Sequence, residues 1–219
     1  VEIVGLAGHA TAPQRARNPI EVLPLVVPLL NEFANEHQQS APLLGTATMA
    51  PTALETLPRS RNVIPDRVRI VLDWRVIPGA TADALREAVD RFLAERLQHL
   101  EGWSYNVAYS VEPQRTYTGM TRDRRMFTPG FLMSEDHPVV QSAVSVVAER
   151  TGRTPQLRPW AFATDGGHSC GVHGIPTIGF APGEERYAHT NRERLELASA
   201  EVAYDAYPHL MRALQTVSL

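Results

Sequence analysis

A few side chains in this 219-residue chain could carry chemistry, and they fall in four places. Residues 174–193 run from Gly174-Ile175-Pro176 through Ala181-Pro182-Gly183 to His189. Gly and Pro fix the path of such a loop, and a fixed path is what a metal ligand such as His189 requires. Gly8-His9-Ala10-Thr11-Ala12-Pro13 places a second histidine, His9, in a turn; alone, it reads as a surface residue. Asp73-Trp74-Arg75 puts Asp73 and Arg75 two residues apart, on one face of a strand. They read as an ion pair, or Arg75 reads as a guanidinium fork for a substrate carboxylate. Thr164-Asp165-Gly166 is either a tight turn or the rim of a pocket at the end of a strand, where open α/β sheets bind ligands.

Gly167-His168-Ser169-Cys170-Gly171 matches the G-x-S-x-G form of a nucleophile elbow, with Asp205 and His209 downstream. An elbow needs a long helix directly after its serine. Gly171, Gly174 and Pro176 leave no room for one, so a serine hydrolase using Ser169 is a rival reading only.

The bulk of the chain narrows the classes. Arginine supplies every basic side chain and lysine is absent, which removes a Schiff-base lysine and a P-loop lysine. A net charge of −3 from intermingled charges argues against nucleic acid or membrane as the main partner. The lone Cys170 excludes an internal disulfide and fits a reducing, cytoplasmic compartment. No apolar run has membrane-spanning length, and no signal peptide is expected. The chain opens at Val1 in mid-strand, which suggests a piece of a longer polypeptide.

These residues must be positioned by the elements between them. Residues 1–6 alternate as a strand, and Asn18-Pro19 caps a helix to about Glu36. Residues 45–57 and 63–77 read as strands, the second bent near Pro65. Thr81 caps an amphipathic helix to about Leu100, and residues 105–111 form a fourth strand. The order β-α-β-β-α-β is the ferredoxin-like split unit. Residues 115–130 read as a polar, irregular linker. A helix from Asp136 to Thr151, strands at 160–164 and 176–180, and a helix over 198–216 complete the chain. The fold class is α/β: residues 1–113 form a ferredoxin-like α+β domain, and residues 114–219 form part of an α/β domain that resembles half of a doubly wound sheet.

Four segments together resemble the dinuclear-zinc amidohydrolases that include aminoacylase, acetylornithine deacetylase, succinyl-diaminopimelate desuccinylase and carboxypeptidase G. They are Gly8 to Pro13 with Asn18-Pro19-Ile20; Asn62-Val63-Ile64-Pro65-Asp66 with Asp73-Trp74-Arg75; Thr164-Asp165-Gly166; and Gly174 to Gly183 with His189 and Glu193. The resemblance implies a ferredoxin-like lid that pairs with that of a second subunit, followed by the C-terminal part of a zinc-hydrolase catalytic domain. It implies that His189 ligates one of two zinc ions, with cobalt or manganese as alternatives. His9 would stabilise the oxyanion in the partner's active site with help from Asn62. Arg75 would hold the substrate carboxylate, and Thr164, Asp165 and Gly183 would line the pocket. The substrate would be an N-acyl amino acid or small peptide. Ala181 stands where the family usually has glycine, and Pro19 where it usually has alanine.

The same resemblance exposes a gap. The family's H-x-D motif, acidic ligand and Glu-Glu pair precede the lid, and H-x-D occurs nowhere in this sequence. His189 alone cannot hold two metals, so this chain by itself is expected to be inactive. A dimerisation module without catalysis is the second reading.

Overall fold

Strand β1 (Glu2–Val4) is the centre of the first half of the chain, with Ile3 fully buried. Helix α1 (Leu23–Glu36) follows a short 3-10 turn, and the Asn18 side chain caps that turn by accepting from Ile20 N–H. Next come β2 (Thr48–Leu57), β3 (Arg67–Arg75), α2 (Ala82–Arg96) and β4 (Ser104–Asn106). The computed structural model describes residues 1–160 and 162–218.

The four strands form one sheet in the order β2-β3-β1-β4, with every neighbouring pair antiparallel. This is the expected ferredoxin-like unit. Period-2 alternation along β3 decides its faces: Val68 and Ile70 are buried, Leu72 and Trp74 pack on the same core, and Arg67, Arg69, Asp73 and Arg75 face away. The helices close the core with Val26, Leu30 and Phe33 from α1 and Val89, Phe92 and Leu93 from α2. Thr81 caps α2 by accepting from Ala84 N–H at 3.3 Å. The bend near Pro65 is a break: Val63–Ile64 pairs apart from β3, with Gly8–His9.

Residues 115–130 are not the irregular linker expected from their polarity. Strands β5 (Val111–Arg115) and β6 (Thr121–Arg125) pair as an exposed antiparallel hairpin. Polarity hid it, because neither face meets a core that would impose an apolar alternation. The chain clusters into two compact units, Val1–Pro129 and Gly130–Leu219, and the hairpin belongs to the first.

In the second unit, α3 (Pro138–Thr151) and α4 (Leu197–Gln215) pack through Ala143, Val147, Ala206 and Leu210, with Ile178 and Phe180 against them. The strand expected at 176–180 makes no ladder among the described residues. Its apolar side chains dock on the helices, but its backbone has no neighbouring strand among the described residues. The strand expected at 160–164 takes in Ala161, which lies outside the described residues. A six-residue π-helical segment, Gly167–Val172, stands where the glycines were expected to leave no room for a helix. Gly179 lets Trp160 lie on the backbone of the 176–180 segment, since a Cβ there would come within 2.4 Å of the indole ring.

Candidate functional site

His9 and Asn62 are brought together by two loops stitched along the end of the first unit. Gly5 N–H donates to Asp66 O at 2.7 Å, and Leu6 and Arg17 exchange two bonds of 2.9 Å. Gly8 pairs with Ile64 and His9 with Val63, and Ala10 N–H donates to Asn62 O at 3.1 Å. Sequence explains the closeness: a Cβ on Gly5 would stand 2.0 Å from the Arg17 carbonyl, and one on Gly8 2.7 Å from the Ala16 methyl. Both side chains are exposed. His9 Nδ1 lies 2.8 Å from the Thr11 hydroxyl and 3.2 Å from Thr11 N–H, and Asn62 Oδ1 accepts from the Ser60 hydroxyl at 2.8 Å. Sequence reading passed over Thr11 and Ser60. The available signal was a hydroxyl residue two positions from each candidate.

Arg75 stands elsewhere on the unit. The His9 loops meet the sheet at the Arg67 end of β3, where Gly5 bonds Asp66. Arg75 is eight residues further along that strand, about 26 Å away at the usual rise of an extended chain. Its guanidinium is bidentate on Asp73, with Nε at 2.7 Å and the terminal nitrogen at 3.1 Å. The ion pair therefore forms as the simpler reading has it, and a substrate carboxylate would have to share or displace Asp73.

In the second unit, Thr164 caps the turn after residue 163: its hydroxyl accepts from Gly166 N–H at 3.2 Å, and its carbonyl accepts from Gly167 N–H at 3.0 Å. Gly183 has φ +111°, in the region that favours glycine. His189 also has positive φ, +60°, which is uncommon for a residue with a side chain and is held here by a bond from its N–H to Glu193 Oε2 at 3.0 Å. Its imidazole is exposed. Among the described residues, none of Thr164, Asp165 or Gly183 hydrogen-bonds His189.

The residues present fall short of the two-zinc centre that the resemblance implies. Among the described residues, no three His, Cys, Asp or Glu side chains converge to hold a metal ion. One imidazole does not meet the four-coordinate demand of zinc, so the residues present do not fit the group. Two concavities, of about 550 Å³ beside Glu135, Gln141 and Arg158 and about 380 Å³ beside Phe33, His37 and Trp74, include none of the predicted residues.

The serine reading gains no support. The Ser169 hydroxyl lies 2.7 Å from the Thr177 hydroxyl and 3.4 Å from Asp165 O, and no histidine ring bonds it among the described residues. Asp205, its nominal triad partner, is held bidentately by Arg150 at 2.8 and 2.9 Å.

The sequence profile of the peptidase dimerisation domain matches residues 1–101. The chain is 26% identical over 213 residues to the uncharacterized protein YgeY of Escherichia coli (strain K12), covering 95% of this chain and 51% of that protein. It is 32% identical over 176 residues to succinyl-diaminopimelate desuccinylase of Paracoccus denitrificans, covering 77% of this chain and 38% of that enzyme. The chain thus spans about half the length, or less, of these curated relatives. Two solved structures share the fold. A metallo-carboxypeptidase of the M20 family from Sulfolobus solfataricus has TM-score 0.62 at 15% identity, over 99% of this chain and 58% of that one. A di-peptidase from Saccharomyces cerevisiae has TM-score 0.63 at 10% identity, over 100% of this chain and 54% of that one.

Proposed function

Because this chain belongs to the M20 family of peptidases and amidohydrolases, through its dimerisation domain and through relatives that run across both units, we propose that it contributes the lid and the C-terminal catalytic segment of an amide-bond hydrolase. The substrate class is an N-acyl amino acid or small peptide. The observation that carries this reading is the juxtaposition of His9 and Asn62 on the stitched loops. Two N–H-bearing side chains at one exposed edge suit an oxyanion, whose charge develops only as the tetrahedral intermediate forms.

The distance to Arg75 gives the reading its second part. A small substrate cannot touch both ends of a strand about 26 Å long. In a two-fold dimer, the His9 and Asn62 of one lid would serve the partner's substrate, while Arg75 would hold the carboxylate of its own. The lid offers an edge for that pairing: β2 is an outer strand of ten residues with Leu54 exposed.

His189 is assigned here as one metal ligand, fixed by its positive-φ turn, with Thr164, Asp165 and Gly183 on the pocket rim. The family is metal-dependent, typically on zinc, but this chain's donors do not complete a centre. We assign the remaining ligands and the general base to polypeptide outside residues 1–219.

The test compares residues 1–219 with the same chain extended by its upstream half. Bound metal is measured in each, with hydrolysis of a panel of N-acyl amino acids. The extended protein should bind metal and turn over, and His9→Ala in it should lower kcat roughly 10²–10³-fold, the usual cost of an oxyanion donor. Robust metal-dependent turnover by residues 1–219 would refute the assignment of missing ligands. An extended protein that dimerises but hydrolyses nothing would favour the dimerisation-only reading.

A further inference from the structure

The hydrogen bonds behind His9 and Asn62 say which atoms those side chains can offer. Thr11 N–H lies 3.2 Å from His9 Nδ1. An amide N–H can only donate, so Nδ1 presents its lone pair. The Thr11 hydroxyl, 2.8 Å from the same nitrogen, must then donate as well. A neutral imidazole with a bare Nδ1 carries its proton on Nε2. At Asn62 the Ser60 hydroxyl donates to Oδ1 at 2.8 Å, which leaves the Nδ2 end of the carboxamide free. Neither His9 Nε2 nor Asn62 Nδ2 has a partner among the described residues.

From this geometry we infer that Thr11 and Ser60 are positioning residues: Thr11 fixes the Nε2–H tautomer of His9, and Ser60 turns the amide end of Asn62 outward, so that the pair presents two donors and no acceptor. The inference rests on the proposed role of His9 and Asn62 at a developing oxyanion. Its chemical sense is symmetrical. With the other tautomer or the flipped carboxamide, a lone pair would face a developing negative charge. The donor would be lost and repulsion added. Each orienting hydroxyl comes from the same loop as the side chain it orients, so the arrangement is built within each lid before any partner arrives.

Two measurements test it. In residues 1–219, long-range ¹H–¹⁵N spectra of the imidazoles should show His9 as the neutral Nε2–H tautomer. Exposed His99, which has no side-chain partner among the described residues, is the internal reference. Thr11→Val should move the His9 nitrogen shifts toward those of His99, and Thr11→Ser should restore them. A wild-type His9 with the pattern of His99, or unmoved by Thr11→Val, overturns the inference. In the extended, active protein, Thr11→Val and Ser60→Ala should each lower kcat about 10-fold with KM little changed. That is less than the 10²–10³ of a lost donor, because the backbone N–H of Thr11 remains. Thr11→Ser should recover the rate. If His9→Ala leaves kcat intact, the oxyanion reading fails and the positioning roles fall with it. If His9→Ala is damaging while Thr11→Val and Ser60→Ala match wild type, only the positioning inference fails.

Discussion

The two units of this chain bury their apolar side chains to different depths. In residues 1–129, Ile3, Leu30, Phe33, Ile70, Phe92 and Leu93 meet between a four-stranded sheet and two helices, and Phe33 sets its ring edge-on to both Trp74 and Phe92. In residues 130–219, the buried apolar side chains are Val139, Val140, Ala143, Val147, Ala203, Ala206 and Leu210, none aromatic and three of them alanines, with Ala143, Val147, Ala206 and Leu210 forming one cluster. Helix α4 also carries apolar residues on the side away from that cluster: Leu197, Tyr204 and Met211, spaced by seven, are 76%, 81% and 65% exposed. A layered α/β domain buries both its helices and its sheet. Here the helices are present, and the extended 176–180 segment lacks a ladder. A contiguous apolar face of this kind is what another layer of polypeptide ordinarily covers. The first unit closes a sheet with two helices, and the second leaves one side of α4 exposed.

Cutting the chain should break this comparison most sharply if it is wrong. Residues 1–129 alone should unfold cooperatively in urea and give dispersed amide resonances. Residues 130–219 alone should bind a hydrophobic dye and melt without a cooperative transition, the behaviour of a chain with too small a core. A sharp, two-state transition from the second fragment would overturn the contrast between the two units.

Single core substitutions sharpen the same contrast. Phe33 is wholly buried in the first unit, and Phe33→Ala should cost about 3–5 kcal/mol of its unfolding free energy. Leu210 is 4% exposed, in a cluster with Ala143, Val147 and Ala206 against which Ile178 and Phe180 pack. Leu210→Ala should leave the transition of the first unit unmoved and alter only the signals from α3 and α4. Amide exchange in urea, read separately for the residues of each unit, separates the two responses. Equal and global losses from both substitutions would mean that the units melt as one body.

What could be read from the sequence follows the same division. The ferredoxin-like order was legible because its elements are capped and patterned locally: Asn18 and Thr81 mark helix starts, and Val68, Ile70, Leu72 and Trp74 alternate against Arg67, Arg69, Asp73 and Arg75. His9 and Asn62 were singled out by resemblance, and only the stitched loops show that they are neighbours. Thr11 and Ser60 were not legible, since a hydroxyl two residues from a candidate is common and its bond is a matter of geometry. The 111–125 hairpin escaped because its residues are exposed on both faces, which erases the period that betrays a strand. At Gly167–Val172, glycine spacing argued against helix, yet the segment closes a wide turn with Gly166 beneath the Phe131 ring. Local propensity lost there to tertiary packing.

The smallest expected effect concerns the arginine that ties the helices of each unit together. Arg96 on α2 reaches Glu32 and Glu36 on α1 at 3.0 and 3.3 Å, and its guanidinium carbon lies 3.5 Å from the centre of the Phe92 ring. Arg150 on α3 holds Asp205 on α4 through two bonds of 2.8 and 2.9 Å. Both pairs face solvent, so each is worth no more than about 1 kcal/mol once screening and side-chain entropy are counted. Their consequences should still differ. Beneath Arg96 the helices are already locked by Phe33, Phe92 and Leu93, so Arg96→Met should shift the urea midpoint slightly and leave exchange in α1 unchanged. Beneath Arg150 the helices meet through Ala143, Val147, Ala206 and Leu210, smaller side chains than the aromatic rings beneath Arg96, so Arg150→Met should speed amide exchange along α3 and α4 by up to roughly 5-fold, the factor that corresponds to about 1 kcal/mol. Raising the ionic strength should reproduce part of the Arg150 effect in the wild-type chain. If both substitutions accelerate exchange equally in their own helices, the clamp matters no more in the thin unit than in the thick one, and the contrast in core depth has no mechanical consequence.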